Sequence, residues 1–189
     1  MRRAFLTVCW ATMGVLAGAL EACAQEPGAG DPILAAAILE EGPAEPVRVP
    51  RPCVVTRVVD GDTLDCEGVG RVRLIGMDTP ERDQQPFGAD ATAALAELAP
   101  VGSTVLLEPD VEAKDRYGRT LAYVWREGVM ANWALVRAGY ALAATYPPNV
   151  QYVERFREAQ ETARAERAGL WAVDGFACPP AEHRRGRCG

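Results

Sequence analysis

Residues 71–81 read RVRLIGMDTPE. The stretch opens as a strand over 71–77, with Val72 and Leu74 set against Arg73 and Ile75 in the two-residue period of a half-buried extended chain. It closes as a turn, where Pro80 fixes the backbone. Along it lie the cation Arg73, two places after Arg71, and two carboxylates, Asp78 and Glu81. Arg73 and Asp78 are five positions apart, so strict alternation would put them on opposite faces. Gly76 is the place for a bulge or bend that turns both toward one side.

Working outward from this stretch, residues 54–59 are β-branched and strand-like. Asp60-Gly61-Asp62 is a turn signal, and residues 63–66 return as the second strand of a hairpin. Downstream the period changes. Ala91, Ala94, Leu95 and Leu98 mark one face of a helix over 84–99, which Pro100 closes. Residues 104–108 and 120–125 read as a fourth and fifth strand. A short helix is expected over 131–138, with Ala131, Ala134, Leu135 and Ala138 inward and Gly139 at its cap. A last helix starts near 149 and carries Val153, Phe156, Gln160 and Ala163 on one face until Gly169. Five strands with a helix between the third and fourth, plus two more helices outside, predict an α+β fold: the OB-fold, a small five-stranded Greek-key barrel.

The ends read differently. Met1-Arg2-Arg3, an apolar run over 4–20 and Ala22-Cys23-Ala24 have the form of a signal peptide over 1–24. The run is shorter than the ~20 residues of a membrane span. Leu20-Glu21-Ala22-Cys23 also resembles a bacterial lipobox, with Glu21 out of keeping. Residues 25–52 are rich in Pro, Gly, Ala and Glu and read as a flexible linker, with Asp31-Pro32 able to start a short helix through Leu39. The domain then spans 53–173, followed by an irregular cysteine-containing tail, 174–189. Past the signal, Cys53, Cys66, Cys178 and Cys188 remain for pairing, and these four allow three connectivities in an exported protein. The two short loops, Cys53–Cys66 and Cys178–Cys188, are the expected bridges. A four-cysteine zinc site is the rival, but no C-x-x-C pair is present.

Composition narrows the chemistry. The net charge is −6 and the sequence holds a single histidine, His183. A wide basic surface for gripping nucleic acid is therefore excluded, and phosphate binding must come from a few placed arginines. Sites built on several imidazoles, and histidine as the acid or base of the domain, are disfavoured. What remains is oxygen chemistry. Asp62 leaves the first hairpin and Asp78 the third strand, so both carboxylates can meet at one end of a barrel. With the Thr79 carbonyl they could bind a hard divalent cation. Glu81, just beyond, suits a general base for a water whose pKa such a cation lowers. Arg73 and Arg119 offer planar forks to phosphate oxygens. Taken singly, Asp60-Gly61-Asp62 is also an ordinary turn, Asp78-Thr79-Pro80-Glu81 also a helix cap, and each arginine also a surface ion pair. Together they point to a metal-dependent phosphodiesterase, in which the acids face the two guanidinium groups across a gap that fits one phosphodiester.

The motifs resemble the staphylococcal nuclease (thermonuclease) family. They are Val59-Asp60-Gly61-Asp62-Thr63, Arg73-Leu74-Ile75-Gly76-Met77-Asp78-Thr79-Pro80-Glu81, Asp115-Arg116-Tyr117-Gly118-Arg119, Leu121-Ala122-Tyr123, Ala134-Leu135-Val136-Arg137 with Gly139, and Leu170-Trp171, in unbroken order. The resemblance implies a calcium-dependent hydrolase of DNA and RNA. Water attacks phosphorus and expels the 5′ oxygen, leaving 3′-phosphate ends. By position, Asp62, Asp78 and the Thr79 carbonyl hold Ca2+, Glu81 handles the water, and Arg73 and Arg119 stabilise the transition state. Arg116 and Tyr117 lie near the substrate's terminal phosphate. In the loop before the last helix the family prototype has two tyrosines around the nucleotide. Here Tyr146 keeps one such position and Ala144 stands at the other. Single-stranded DNA or RNA is the expected partner of a monomer with no obligate protein partner. The expected location is the periplasm or the medium, or the outer membrane if Cys23 carries lipid. A catalytically weak module that binds nucleic acid or protein on the same fold is the alternative. A plain OB-type oligosaccharide or peptide binder leaves Arg73, Arg119 and Glu81 without a task.

Overall fold

The structure is a computed structural model that describes residues 30–188. The expected signal peptide and Cys23 lie outside the described residues. The barrel is built from β1 (Arg51–Asp60), β2 (Thr63–Cys66), β3 (Gly70–Leu74), β5 (Thr104–Glu108) and β6 (Thr120–Arg126). β1 pairs antiparallel with β2 and β5, β2 with β3, and β5 with β6. A parallel pairing of β3 with β6, Val72 opposite Thr120 and Leu74 opposite Ala122, closes the ring. A short β7 (Val129–Met130) extends β6. This is the expected OB-type barrel. Its inward positions, among them Val55, Leu64, Val72, Leu74, Val105, Leu107 and Val124, are buried in one core.

The third strand is shorter than the sequence reading over 71–77. It ends at Leu74, the chain turns at Gly76 with φ +80°, and Met77–Asp78 form a separate strand, β4. β4 pairs with β8 (Leu142–Ala143). A β-carbon on Gly76 would lie 2.5 Å from the Phe156 ring, so positive φ and a packed aromatic both demand glycine there. The bend places Asp78 on the same side as Arg73.

Helix α2 (Phe87–Leu98) buries Ala91, Ala94, Leu95 and Leu98, the face that the sequence marks. Helix α3 (Ala131–Arg137) is buried along its whole length. In α4 (Val153–Ala165) the buried positions are Phe156, Ala159 and Ala163. Gln160, expected inward, stands at the edge of that face, where its Oε1 accepts the Ala143 N–H at 2.9 Å and secures β8.

Two expectations about the flanks are corrected. The linker assigned to 25–52 is, in its described part, packed on the domain. Helix α1 (Pro32–Ile38) buries Leu34 and Ala37 in the common core, and its Asp31 cap accepts N–H groups of Ile33 and Leu34. Glu40 then pairs with Arg137. Pro, Gly and Ala in this segment are small enough to lie against α3, as when Gly42 meets the Trp133 ring. The tail over 174–189 is not wholly irregular. It carries one helical turn, α5 (Pro180–His183). Both expected bridges are present, Cys53–Cys66 between β1 and β2 and Cys178–Cys188 in the tail.

Candidate active site

At one end of the barrel the β1–β2 hairpin, the bend after β3 and the loop before β6 surround a cleft of about 950 Å³. The hairpin turn is ordered by its own residues. Asp60 Oδ1 accepts the Asp62 N–H at 3.2 Å, and the Asp62 carbonyl accepts the Leu74 N–H at 2.8 Å. Thr63 stands opposite Arg73 in the β2–β3 register, which sets Asp62 beside the Arg73 side chain.

Asp62, Asp78 and Thr79 are 8%, 4% and 2% exposed. The Arg73 guanidinium lies on both carboxylates: Nη1 pairs with Asp62, and Nη2 is 3.0 Å from Asp78 Oδ1. Thr63 Oγ1 and Thr79 Oγ1 donate to the two oxygens of Asp62, at 2.9 and 3.1 Å. Burial, and then the charge of Asp62 beside it, push the Asp60 carboxyl up to about 6. Desolvation and the neighbouring carboxylate thus favour the neutral form of Asp60, while Asp62 and Asp78 are compensated by Arg73.

Glu81 follows Pro80 on a loop that Gln84 braces, its Oε1 accepting the Glu81 N–H at 2.8 Å. Gly88, in the first turn of α2, backs this loop so closely that a β-carbon there would lie 2.1 Å from the Glu81 carbonyl oxygen.

The opposite wall is the loop over 115–119. Asp115 Oδ1 accepts the N–H groups of Tyr117 and Arg119, and its Oδ2 accepts Arg119 Nε at 2.6 Å. Burial pushes the Asp115 carboxyl up, but these hydrogen bonds outweigh it and hold it below the usual carboxylate range. Arg116 lies over the Tyr117 ring at 4.8 Å, and Arg119 lies 5.7 Å from the same ring. Tyr117 and Tyr146 are exposed along the cleft.

Asp62, Arg73, Thr79, Glu81, Arg116, Tyr117, Arg119 and Tyr146 all line this one cleft, and Asp78 lies directly behind Arg73. Two details differ from the sequence reading. Arg73 does not face the carboxylates across a gap but touches both. Ala144 lies outside the lining, its N–H spent on the Gly76 carbonyl at 3.0 Å. Arg184 is a lining residue that the sequence reading missed. From the tail it reaches Asp78 through Nη2–Oδ2 at 2.7 Å and Nη1–Oδ1 at 3.1 Å, and it pairs with Glu81. The only hint in the sequence is a run of arginines inside the Cys178–Cys188 loop.

The donor set fits a hard cation: two buried carboxylates and a neighbouring backbone carbonyl, all oxygen. Among the described residues no group of three or more His, Cys, Asp or Glu side chains is clustered for a metal. His183 plays no part in this set. It pairs with Asp83 at 3.0 Å.

The family model described as "Staphylococcal nuclease homologue" matches residues 71–173. The chain belongs to that family. A thermonuclease of Staphylococcus intermedius is 42% identical over 126 residues, covering 62% of this chain and 74% of that protein. A thermonuclease of Staphylococcus hyicus is 40% identical with the same coverage. The SPbeta prophage-derived endonuclease YokF of Bacillus subtilis is 34% identical over 129 residues, 64% of this chain and 44% of that protein. In this staphylococcal nuclease homologue the matched span runs from the start of the RVRLIGMDTPE stretch through the 3-10 turn Gly169–Val173, the part of the chain that holds most of the cleft.

Proposed function

We propose that this protein is an exported, Ca2+-dependent nuclease that hydrolyses phosphodiester bonds of DNA and RNA, acting on single strands as a monomer. One observation carries the reading: buried Asp62, Glu81 and the guanidinium groups of Arg73 and Arg119 line a single cleft, and buried Asp78 is paired to Arg73 at its wall. The family membership and the names of its relatives support it.

Asp62, Asp78 and the Thr79 carbonyl are the residues that would hold the ion. Bound Ca2+ would lower the pKa of water and draw charge from the phosphate. Glu81 takes a proton from the attacking water. As the water oxygen bonds to phosphorus, the P–O5′ bond breaks and its electron pair leaves with the 5′ oxygen, which takes a proton from solvent, so the products are a 3′ phosphate and a 5′ hydroxyl. Arg119, freed from Asp115, and Arg73 hold the non-bridging oxygens, where charge builds in the transition state. Tyr117 and Tyr146 present ring faces to the flanking nucleotides, and Arg116 serves a neighbouring phosphate. With Ala144 outside the cleft, one aromatic face remains on that side. Export rests on the N-terminal signal pattern and agrees with two disulfides, which persist in oxidising compartments.

The test is digestion of single-stranded DNA with Ca2+ and with chelator. Cleavage should require the ion, and Glu81→Gln and Arg119→Ala should each lower turnover at least ~10²-fold, the scale for one such group. Digestion at near-normal rates by both variants would remove these residues from the mechanism. Absence of cleavage under either condition would leave a binding module.

A further inference from the structure

The tail enters the cleft at a definite place. Its anchor points are Phe176, packed on Trp171 with ring centroids 4.7 Å apart, the Cys178 carbonyl, which accepts Gln84 Nε2 at 3.0 Å, and the His183–Asp83 pair. The Cys178–Cys188 bridge closes the loop around α5. Arg184 leaves the end of α5 and lays its fork on the two carboxylates that the nuclease reading needs free. Asp78 receives Arg184 on both oxygens, and Oδ1 receives Arg73 as well. Glu81 is paired with the same guanidinium. A carboxylate has about four lone-pair positions, so Asp78 in this state has little left to offer a metal ion, and Glu81 is tied up as a base. A divalent cation at Asp78 and a guanidinium within hydrogen-bonding distance also repel each other. One must give way. Arg184, 41% exposed on a tethered loop, is the mobile partner, whereas Arg73 is fixed in β3. Released from the carboxylates, it stays in the cleft because the bridge and the anchors hold α5 there. A free planar fork at the mouth of a phosphodiester site has one obvious ligand.

We propose that Arg184 is a further substrate-binding residue, a guanidinium that neutralises Asp78 and Glu81 while no divalent cation is bound and engages a phosphate of the nucleic acid once the cation takes its place. The inference rests on the Ca2+-dependent nuclease reading above. It makes the tail part of the site, and it explains how buried acids are kept compensated before the ion arrives.

The experiment is calorimetric titration of the intact mature protein, wild type and Arg184→Ala, first with Ca2+ alone and then with a nucleoside 5′-monophosphate at saturating Ca2+. Arg184→Ala should bind Ca2+ roughly three- to tenfold more tightly, having lost an internal competitor, and the nucleotide roughly three- to tenfold more weakly. Arg184→Lys, which keeps the charge without the fork, should fall between. The double variant Cys178→Ser/Cys188→Ser, which unties the tail but keeps Arg184, should move both affinities in the same directions as Arg184→Ala. Unchanged or weaker Ca2+ binding by Arg184→Ala, or unchanged nucleotide binding, overturns the proposal while leaving the nuclease reading intact. A wild type that neither binds Ca2+ nor cleaves single-stranded DNA overturns both.

Discussion

Asn132 shows how one residue can set the geometry of a site it does not touch. It is 0% exposed in α3. Its Oδ1 accepts the Val124 N–H at 2.8 Å, and its Nδ2 donates to the carbonyls of Ile75 and Ala122, at 2.8 and 3.3 Å. Ile75 immediately precedes the Gly76 bend that delivers Asp78, so this amide pins β6 to the exit of β3. Replacing it by leucine leaves one N–H and two carbonyls buried without that partner. Asn132→Leu should cost about 2–4 kcal/mol of stability, from the scale of unsatisfied buried groups. Urea denaturation with an unchanged slope checks it, and a loss below ~1 kcal/mol would mean that the freed groups find other partners. The sequence hides Asn132 because it lies among Ala131, Trp133 and Ala134 in a helix buried on all sides, where one polar residue does not disturb the period. Asp62 and Asp78 are legible because they flank the β2 and β3 strands, whose period is plain, and Glu81 because Pro80 marks the turn before it.

At the scale of elements, the strands and helices that carry a clear period appear where the pattern puts them, and the departures have physical causes. β3 stops early because Gly76 must adopt positive φ against Phe156. α4 turns Ala159 rather than Gln160 to the core because Gln160 can satisfy the β8 backbone from the edge. The seating of α2 against the Glu81 loop is a similar dependence between elements, and sequence patterns say nothing about it. With a 2.1 Å approach of a notional Gly88 β-carbon to the Glu81 carbonyl oxygen, Gly88→Ala forces α2 and the loop apart. The loop is exposed at Arg82, Asp83 and Gln85, whereas α2 buries Ala91, Ala94, Leu95 and Leu98 in the core, so Glu81 should be the part that moves. A displacement of about 1 Å at a catalytic group can lower turnover ~10²-fold, so kcat should fall by at least ~10-fold while the far-UV circular dichroism of the folded protein is retained. An unaltered kcat would show that the helix shifts and the loop does not.

At the scale of the whole molecule, the least legible feature is that the domain begins well before Cys53. A segment rich in Pro, Gly, Ala and Glu has the composition of a linker, and composition cannot report a docking partner that is remote in sequence. The partner is Glu108, at the end of β5, which alternation alone would leave as an ordinary strand terminus. It is 0% exposed. It accepts the N–H groups of Val47 and Arg48 at 2.8 and 2.9 Å, Trp125 Nε1 at 2.8 Å, Gln151 Nε2 at 2.7 Å and the Tyr152 hydroxyl at 3.0 Å. The approach to β1, strand β6 and the entry to α4 therefore meet on one carboxylate, and Asp110 adds a second link through Arg48 at 3.3 Å. Every partner of Glu108 is a donor. Glu108→Gln keeps the shape but turns one oxygen into an NH2 group facing other N–H and O–H donors, so at least one of these contacts becomes repulsive and others lengthen. The expected loss is about 3 kcal/mol, the scale for breaking a buried charged network. Because the network joins the segment before β1 to both barrel and α4, unfolding should remain a single transition at a lower midpoint. Glu108 is not among the residues that line the cleft, so turnover of single-stranded DNA well below the midpoint should be unaffected. Thermal denaturation followed by tryptophan fluorescence and by far-UV circular dichroism tests this. An unshifted midpoint, or a separate early transition for the N-terminal segment, would show that residues 30–50 are not part of the cooperative unit.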